Sequence, residues 1–275
     1  MKRYPSVLTV AGSDCSGGAG IQADIKSISA LGAYAASAIT SITVQNTCGV
    51  TSIHPVPAEF VRGQIEAVMT DIRPDAVKIG MIGDVDVVDV LVECIGTFQP
   101  RFVVLDPVMV STSGCELSKN EVVVAMKTKL MKYATIITPN LTETEVLVGH
   151  PVRTVEDMKG AARDLLALGC QAVLVKGGHL EGEVMCDVLQ VAGEEVPHLF
   201  KASHVESVNT HGTGCSLSSA IATFLALGEP MTLAVELAKG FVHAGIVAAQ
   251  DVHIGEGHGP INHFVAPRAL VAREL

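Results

Sequence analysis

A chain of 275 residues with 48% hydrophobic side chains and a mean hydropathy of +0.42 can bury a large core, as one α/β domain or two small ones. Nineteen Lys and Arg against 29 Asp and Glu leave a net charge of −10 with no basic cluster, which argues against a nucleic-acid partner. Charges and glycines break the apolar runs short of the ~20 residues a membrane span needs, so no membrane association is expected.

The opening Met1-Lys2-Arg3-Tyr4-Pro5 carries no secretory pattern and leads into a strand-like run, 7–11. Glycine-rich 12–20 follows, then Ile21, Ile25, Ile28 and Leu31 at helical spacing. A second strand is expected at 36–44, ending at Gln45-Asn46, and a helix through Val61, Ile65, Val68 and Ile72. Strands are expected at 76–79 before Gly80-Met81, at 102–105 before Asp106-Pro107, and at 136–138 before Asn140. Val155, Met158, Ala162, Leu165 and Leu166 form another helical face, with Thr154 as N-cap and Asp157 three residues on. A strand at 172–176 runs into Lys176-Gly177-Gly178, and an antiparallel addition follows at 184–191 and 198–202. Helices at 215–227 and 232–249 close the pattern. Strands alternating with helices imply a mainly parallel sheet covered on both faces, and no linker or repeat divides it, so one domain is expected over 1–275.

In such a sheet ligands bind beyond the carboxyl ends of the strands, where these polar and glycine-rich loops gather. Val208 to Ser216 is the most telling segment. Gly212 and Gly214 bracket Thr213 at the start of an apolar helix, so backbone N–H groups and the helix dipole make an anion site there. The same field favours Cys215 as thiolate; the alternative is a glycine turn with Cys215 as a small core residue. The 12–20 loop is neither a Walker loop, since Gly18 replaces the lysine, nor a dinucleotide fingerprint, since Asp14 replaces the second glycine. Its glycines fit a flat ligand packed on backbone, or simply a tight strand–helix turn. Asn140 and Glu143 resemble a capping box, while Glu143 beside Asp106 gives paired acids suited to Mg²⁺ held through waters and phosphate. His253, His258 and His263, five apart in a loop, are expected to make local hydrogen bonds. Seven scattered cysteines without a C-x-x-C pair fit reduced thiols in a cytoplasm.

Taken together, 11–14, 17–24, 43–47, 78–81, 106–109, 138–143, 175–179, 210–215 and 257–263 resemble, in order, the hydroxymethylpyrimidine/phosphomethylpyrimidine kinases of thiamine biosynthesis, in the ribokinase superfamily. The resemblance spans Val10 to Phe264 and implies a ribokinase-like αβα sandwich, a homodimer, and ATP with Mg²⁺ as cofactors. It implies a small-molecule substrate, an aminopyrimidine alcohol and then its phosphate. Cys215 would be the base at an anion hole of Gly212, Thr213 and Gly214. Gln45 would read the pyrimidine, with Gly12, Ala19, Met81 and Val108 around it. Lys176, Asn140 and Thr210 would serve the nucleotide, and Asp106 and Glu143 the metal. The flap Ser111-Thr112-Ser113-Gly114 departs from the family, which usually has a lysine before its Ser-Gly pair. A pyridoxal kinase of the same superfamily is the nearest rival, though most of those carry Asp at the base position; a binding-only regulator would be expected to lose the base, the glycines or the acids.

Overall fold

The computed structural model describes residues 1–110, 114, 117–178 and 184–274. Among them, β1 (Lys2–Arg3) and β11 (Arg273–Glu274) pair in a small ribbon, and nine strands form one sheet. In chain order these are β2 (Ser6–Asp14), β3 (Tyr34–Asn46), β4 (Gly49–Pro55), β5 (Ala76–Ile79), β6 (Phe102–Leu105), β7 (Ile136–Ile137), β8 (Ala172–Val175), β9 (Val184–Val191) and β10 (His198–Ser203). Across the sheet the order is β10-β9-β8-β7-β6-β5-β2-β3-β4. The middle six strands are parallel; β4 at one edge and the β9–β10 pair at the other run antiparallel to their neighbours.

The pleat sends alternate side chains to two cores. Val7, Ala76, Val104, Ile136 and Leu174 pack beneath α1 (Gly20–Ala30), α7 (Thr213–Ala226) and α8 (Met231–Ala249). Their neighbours Leu8, Val77, Val103, Ile137 and Val173 face the other way, toward α2 (Ala58–Asp71), α3 (Val85–Phe98), α4 (Asn120–Ala125), α5 (Leu141–Val148) and α6 (Val155–Leu166). Burial on both faces explains the near-continuous Val/Ile/Leu runs of the short central strands. The protein is an αβα sandwich.

Several sequence expectations need correction. The first two strands run longer than their apolar cores, so Gly12 to Asp14 and Gln45-Asn46 lie on β2 and β3 rather than in loops. Pairing continues because β4, which its short polar sequence hid, lies against the outer half of β3. Helix α3 was missed as well, although its buried Val87, Val88, Leu91, Cys94 and Ile95 recur at helical spacing with Asp86, Asp89 and Glu93 off that face. Asp84 identifies its start, accepting from the Asp86 N–H at 3.0 Å. Helix α8 is the one described helix long and apolar enough to cross a membrane, contrary to the reading of interrupted runs. It nonetheless carries Glu236 and Lys239 and packs on α7, with Lys239 ion-paired to Asp187. Residues 111–113, Cys115 and His179 lie outside the described residues.

The chain leaves β2 for β3 on one side and returns to β5 on the other, so a crevice opens between the ends of β2 and β5.

Candidate active site

A cavity of about 730 Å³ occupies this crevice and the rim beside it. Every residue given a site role by the resemblance lines it, beginning with Gly12, Ala19, Gln45, Met81 and Val108 toward β3, and Thr210 and Gly212 to Cys215 at the start of α7. Asp106, Asn140, Glu143 and Lys176 line the rim of β6 to β8. The cavity continues past Lys176 along Met185, Asp187, Val205, Lys239, Val242 and Ile246. No motif marked that far wall, because it is built from ordinary strand and helix residues brought together by the β9–β10 addition; the apolar stretch at 242–246 was its only trace.

Gly212 caps α7 with φ 78°, a left-handed conformation, and a side chain there would collide with the Gly18 carbonyl. The 15–20 turn and the 210–214 turn are therefore packed backbone to backbone. Gly12, Ala19 and Gly20 still contribute to the cavity wall. Asp14, noticed only as an interruption of a familiar pattern, organises the loop. Its carboxylate accepts from the Ser16, Gly18 and Ala19 N–H groups at 2.9, 3.1 and 2.8 Å and lies 2.9 Å from His211 Nε2. Burial would raise its pKa, but the hydrogen bonds from His211, Ser16 and Ala19 outweigh that and hold it at about 2. The Gln45 amide lies 3.2 Å from His211 Nε2 and 3.1 Å from Thr43 Oγ1.

Cys215, in the first turn of α7, does not meet the expectation of a thiolate. Burial pushes its thiol up to about 11; Lys78 pulls it down, but Asp24 and Asp106 push it further up. Desolvation and two carboxylates outweigh Lys78 and the Gly20 backbone N–H. Lys78 and Asp24, both wholly buried, form a pair below the site. Asp24 takes 2.9 Å bonds from Lys78 on both oxygens, and the hydroxyls of Thr9 and Ser219 at 2.5 and 2.7 Å. Sequence reading gave neither residue a role.

At the rim, Asp106 accepts from Lys176 Nζ at 2.9 Å, from Thr138 at 3.1 Å and from Ser218 at 3.2 Å. Burial would raise it, but Lys176 and Lys78 hold it below the usual carboxylate range. A methyl group on Gly214 would come within 3.3 Å of Lys176 Nζ and 3.7 Å of Asp106 Oδ2, so the rim charges abut the turn that opens α7. Asn140 and Glu143 form the capping box, with reciprocal bonds of 2.8 Å. Glu143 is also nearly buried, and desolvation, ahead of repulsion from Asp106, pushes it up to about 7 despite Lys176. Capping and a place beside Asp106 are both real. A second carboxylate whose charge is opposed, next to a first, is a donor set that a hard cation fits.

His258 Nδ1 lies 3.3 Å from the Val208 carbonyl, 50 residues away, so the contact is not the local one expected. His263 likewise reaches a distant segment, Ser216 on α7 at 3.1 Å, and burial lowers its pKa to about 4.

Residues 14–262 match the sequence model of the phosphomethylpyrimidine kinase family. The chain is 46% identical over 258 residues to the hydroxymethylpyrimidine/phosphomethylpyrimidine kinase of Rhizobium meliloti, covering 94% of this chain and 96% of that one. It is 45% identical over 261 residues to the thiamine biosynthesis bifunctional protein of Geobacter sulfurreducens, covering 95% of this chain; it spans about half the length of that relative, 52%. An ADP complex of pyridoxal kinase from Bacillus subtilis superposes with a TM-score of 0.87 at 35% identity, covering 95% of this chain and 98% of that one.

Proposed function

The chain belongs to the phosphomethylpyrimidine kinase family, and we propose that it transfers the γ-phosphoryl group of ATP to 4-amino-5-hydroxymethyl-2-methylpyrimidine and then to the resulting monophosphate, yielding the diphosphate for thiamine biosynthesis. One observation carries the reading: a single cavity runs from Gln45, past Cys215 and the Gly212–Cys215 turn, to the Lys176 rim and the far wall beyond it. An alcohol at one end and a nucleotide at the other would meet over the start of α7.

Gln45 offers an amide to the amine and ring nitrogen of the aminopyrimidine, as Gln does with adenine. Gly12, Ala19, Met81 and Val108 wall the ring. Lys176, Asn140 and Thr210 hold the nucleotide phosphates, and the opening N–H groups of α7 stabilise charge on the transferred group. Asp106 and Glu143 would hold Mg²⁺ through its waters and the phosphates, where it would offset charge on the β- and γ-oxygens. The transition state is loose, so positioning dominates and the alcohol proton leaves late. Cys215 receives it as the thiolate. Because the thiol stands at about 11, the thiolate is a minor form near neutrality, and turnover should climb about tenfold per pH unit between 7 and 9.

The deciding experiment is ADP release with the aminopyrimidine alcohol, its monophosphate and pyridoxal side by side. Cys215→Ala should cut turnover with the preferred substrate by ~10²–10⁴-fold and abolish the pH slope. Near-normal turnover removes Cys215 from the mechanism. Preference for pyridoxal would instead favour the vitamin B6 reading, which the likeness to the Bacillus subtilis enzyme keeps as the second choice. A homodimer would cover Ile42 and Val44, which are 50% and 57% exposed on the outer half of β3 while Ser41 and Thr43 point inward; sedimentation of Ile42→Lys against the parent chain tests it.

A further inference from the structure

Gln45 has two ends of nearly equal shape, and which end faces which neighbour is a question of protons. Its neighbours answer it independently. On one side stands His211 Nε2, 2.9 Å from Asp14 Oδ2, with both residues buried. The Asp14 carboxylate already accepts from the N–H groups of Ser16, Gly18 and Ala19 and from the Ser16 hydroxyl at 2.7 Å. A carboxylate that gathers donors in this way only accepts, so the proton between it and the ring belongs to His211 Nε2. The structure sets Gln45 Nε2 3.2 Å from that same nitrogen, donor against donor, so the two ends of the amide must be exchanged, with the oxygen on this side sharing the N–H with Asp14.

On the other side, Thr43 Oγ1 has one proton, and it donates that proton to the Ser13 carbonyl at 2.9 Å. The structure sets Gln45 Oε1 3.1 Å away, but with its one proton on the shorter bond to Ser13, Thr43 offers this end of the amide only a lone pair. That end of the amide must be the NH₂. Both neighbours demand the same orientation.

We propose that Asp14, through His211, and Ser13, through Thr43, fix the polarity of the Gln45 amide, and that this makes them positioning residues for substrate orientation. The remaining lone pair of the Gln45 oxygen then lies on the His211 side and the second N–H on the Thr43 side, both at the cavity. A ligand must present a donor toward His211 and an acceptor toward Thr43. An aminopyrimidine meets that demand one way round only, with its amine on the His211 side, and this sets the direction of the hydroxymethyl group relative to Cys215. The reversed ring would set donor against donor and acceptor against acceptor. This deepens the pyrimidine reading above and rests on Gln45 as the pyrimidine contact.

The first test needs neither substrate nor variant of the measured chain. Long-range ¹H–¹⁵N spectra of ¹⁵N-histidine protein, with His211 assigned by the signals lost in His211→Asn, should place a proton on Nε2. An Nε2 without a proton overturns the proposal. The second test reads kinetics. Thr43→Val removes the acceptor for the Gln45 NH₂ and should raise KM for the aminopyrimidine alcohol about tenfold, leaving KM for ATP unchanged, while Thr43→Ser should restore it. An unchanged pyrimidine KM, or a parallel rise for ATP, overturns it. Because the tautomer is read in the ligand-free protein, a wrong tautomer and a wrong substrate are separate results.

Discussion

Two ion pairs lie within the same sheet, and they differ in how their charges are completed. Below the site, Lys78 on β5 meets Asp24 on α1, and Thr9 and Ser219 occupy the remaining faces of the carboxylate. Nothing in that group faces solvent. At the rim, Lys176 after β8 meets Asp106 after β6, and Glu143 stands beside them with its charge opposed and its pKa near 7. The first group is closed: its hydrogen bonds join β2, α1, β5 and α7, and any ligand would only disturb it. The second is open on the cavity and short of positive charge. Buried charges of similar type thus differ in setting, one fastening the floor of the site and the other open on the cavity.

The largest expected effect is at the floor. Lys78→Met strands a wholly buried carboxylate and should cost about 3–5 kcal/mol of unfolding free energy, lowering Tm by roughly 10 °C. Lys78→Met combined with Asp24→Leu should recover most of it, since an apolar pair has no charge to desolvate. At the rim, Lys176→Met should cost far less stability and act on turnover instead. Denaturant titrations of all three that give equal losses would erase the distinction between closed and open pairs.

A smaller effect sharpens the open side. Glu143 has a folded pKa of about 7, above its ordinary 4.5. The folded state therefore holds a proton that the unfolded state has released between these values. That stabilising contribution is fully present below pH 4.5 and is lost as pH rises through 7, on the order of 3 kcal/mol in all. Glu143→Gln should flatten this part of the pH–stability profile and keep the cap, because Gln also serves at that position. Mg²⁺ should raise Tm at pH 8 in the parent chain more than in the variant. Equal Mg²⁺ effects would mean that Glu143 only caps α5.

The smallest effect comes from an exposed pair. Lys129 Nζ lies 2.7 Å from Asp89 with both side chains nearly half exposed, and Lys129→Met should change stability by less than about 1 kcal/mol. A larger loss would show that distance, rather than burial, sets the strength of these pairs.

Much of this protein was legible in one dimension because its signals are local. The alternation of short β-branched runs with helical faces gave the αβα sandwich, since periods of two and 3.6 are properties of neighbouring residues. Turn chemistry placed the rim: Gly212 has a left-handed backbone, Thr154 and Asn140 cap their helices, and every proposed site residue lines one cavity. The polar β4 was missed because its local pattern is weak, and α3 was missed although its buried positions are at helical spacing. The ionisation of the site belonged to the tertiary structure alone. Cys215 sits where a helix would favour its thiolate, yet burial, with Asp24 and Asp106 drawn from distant segments, keeps it a thiol. Asp14 and His211, 197 residues apart, and Lys78 and Asp24, 54 apart, have no pattern in common along the chain. Their charges are set by desolvation and by which groups end up within about 3 Å, and only folding decides both.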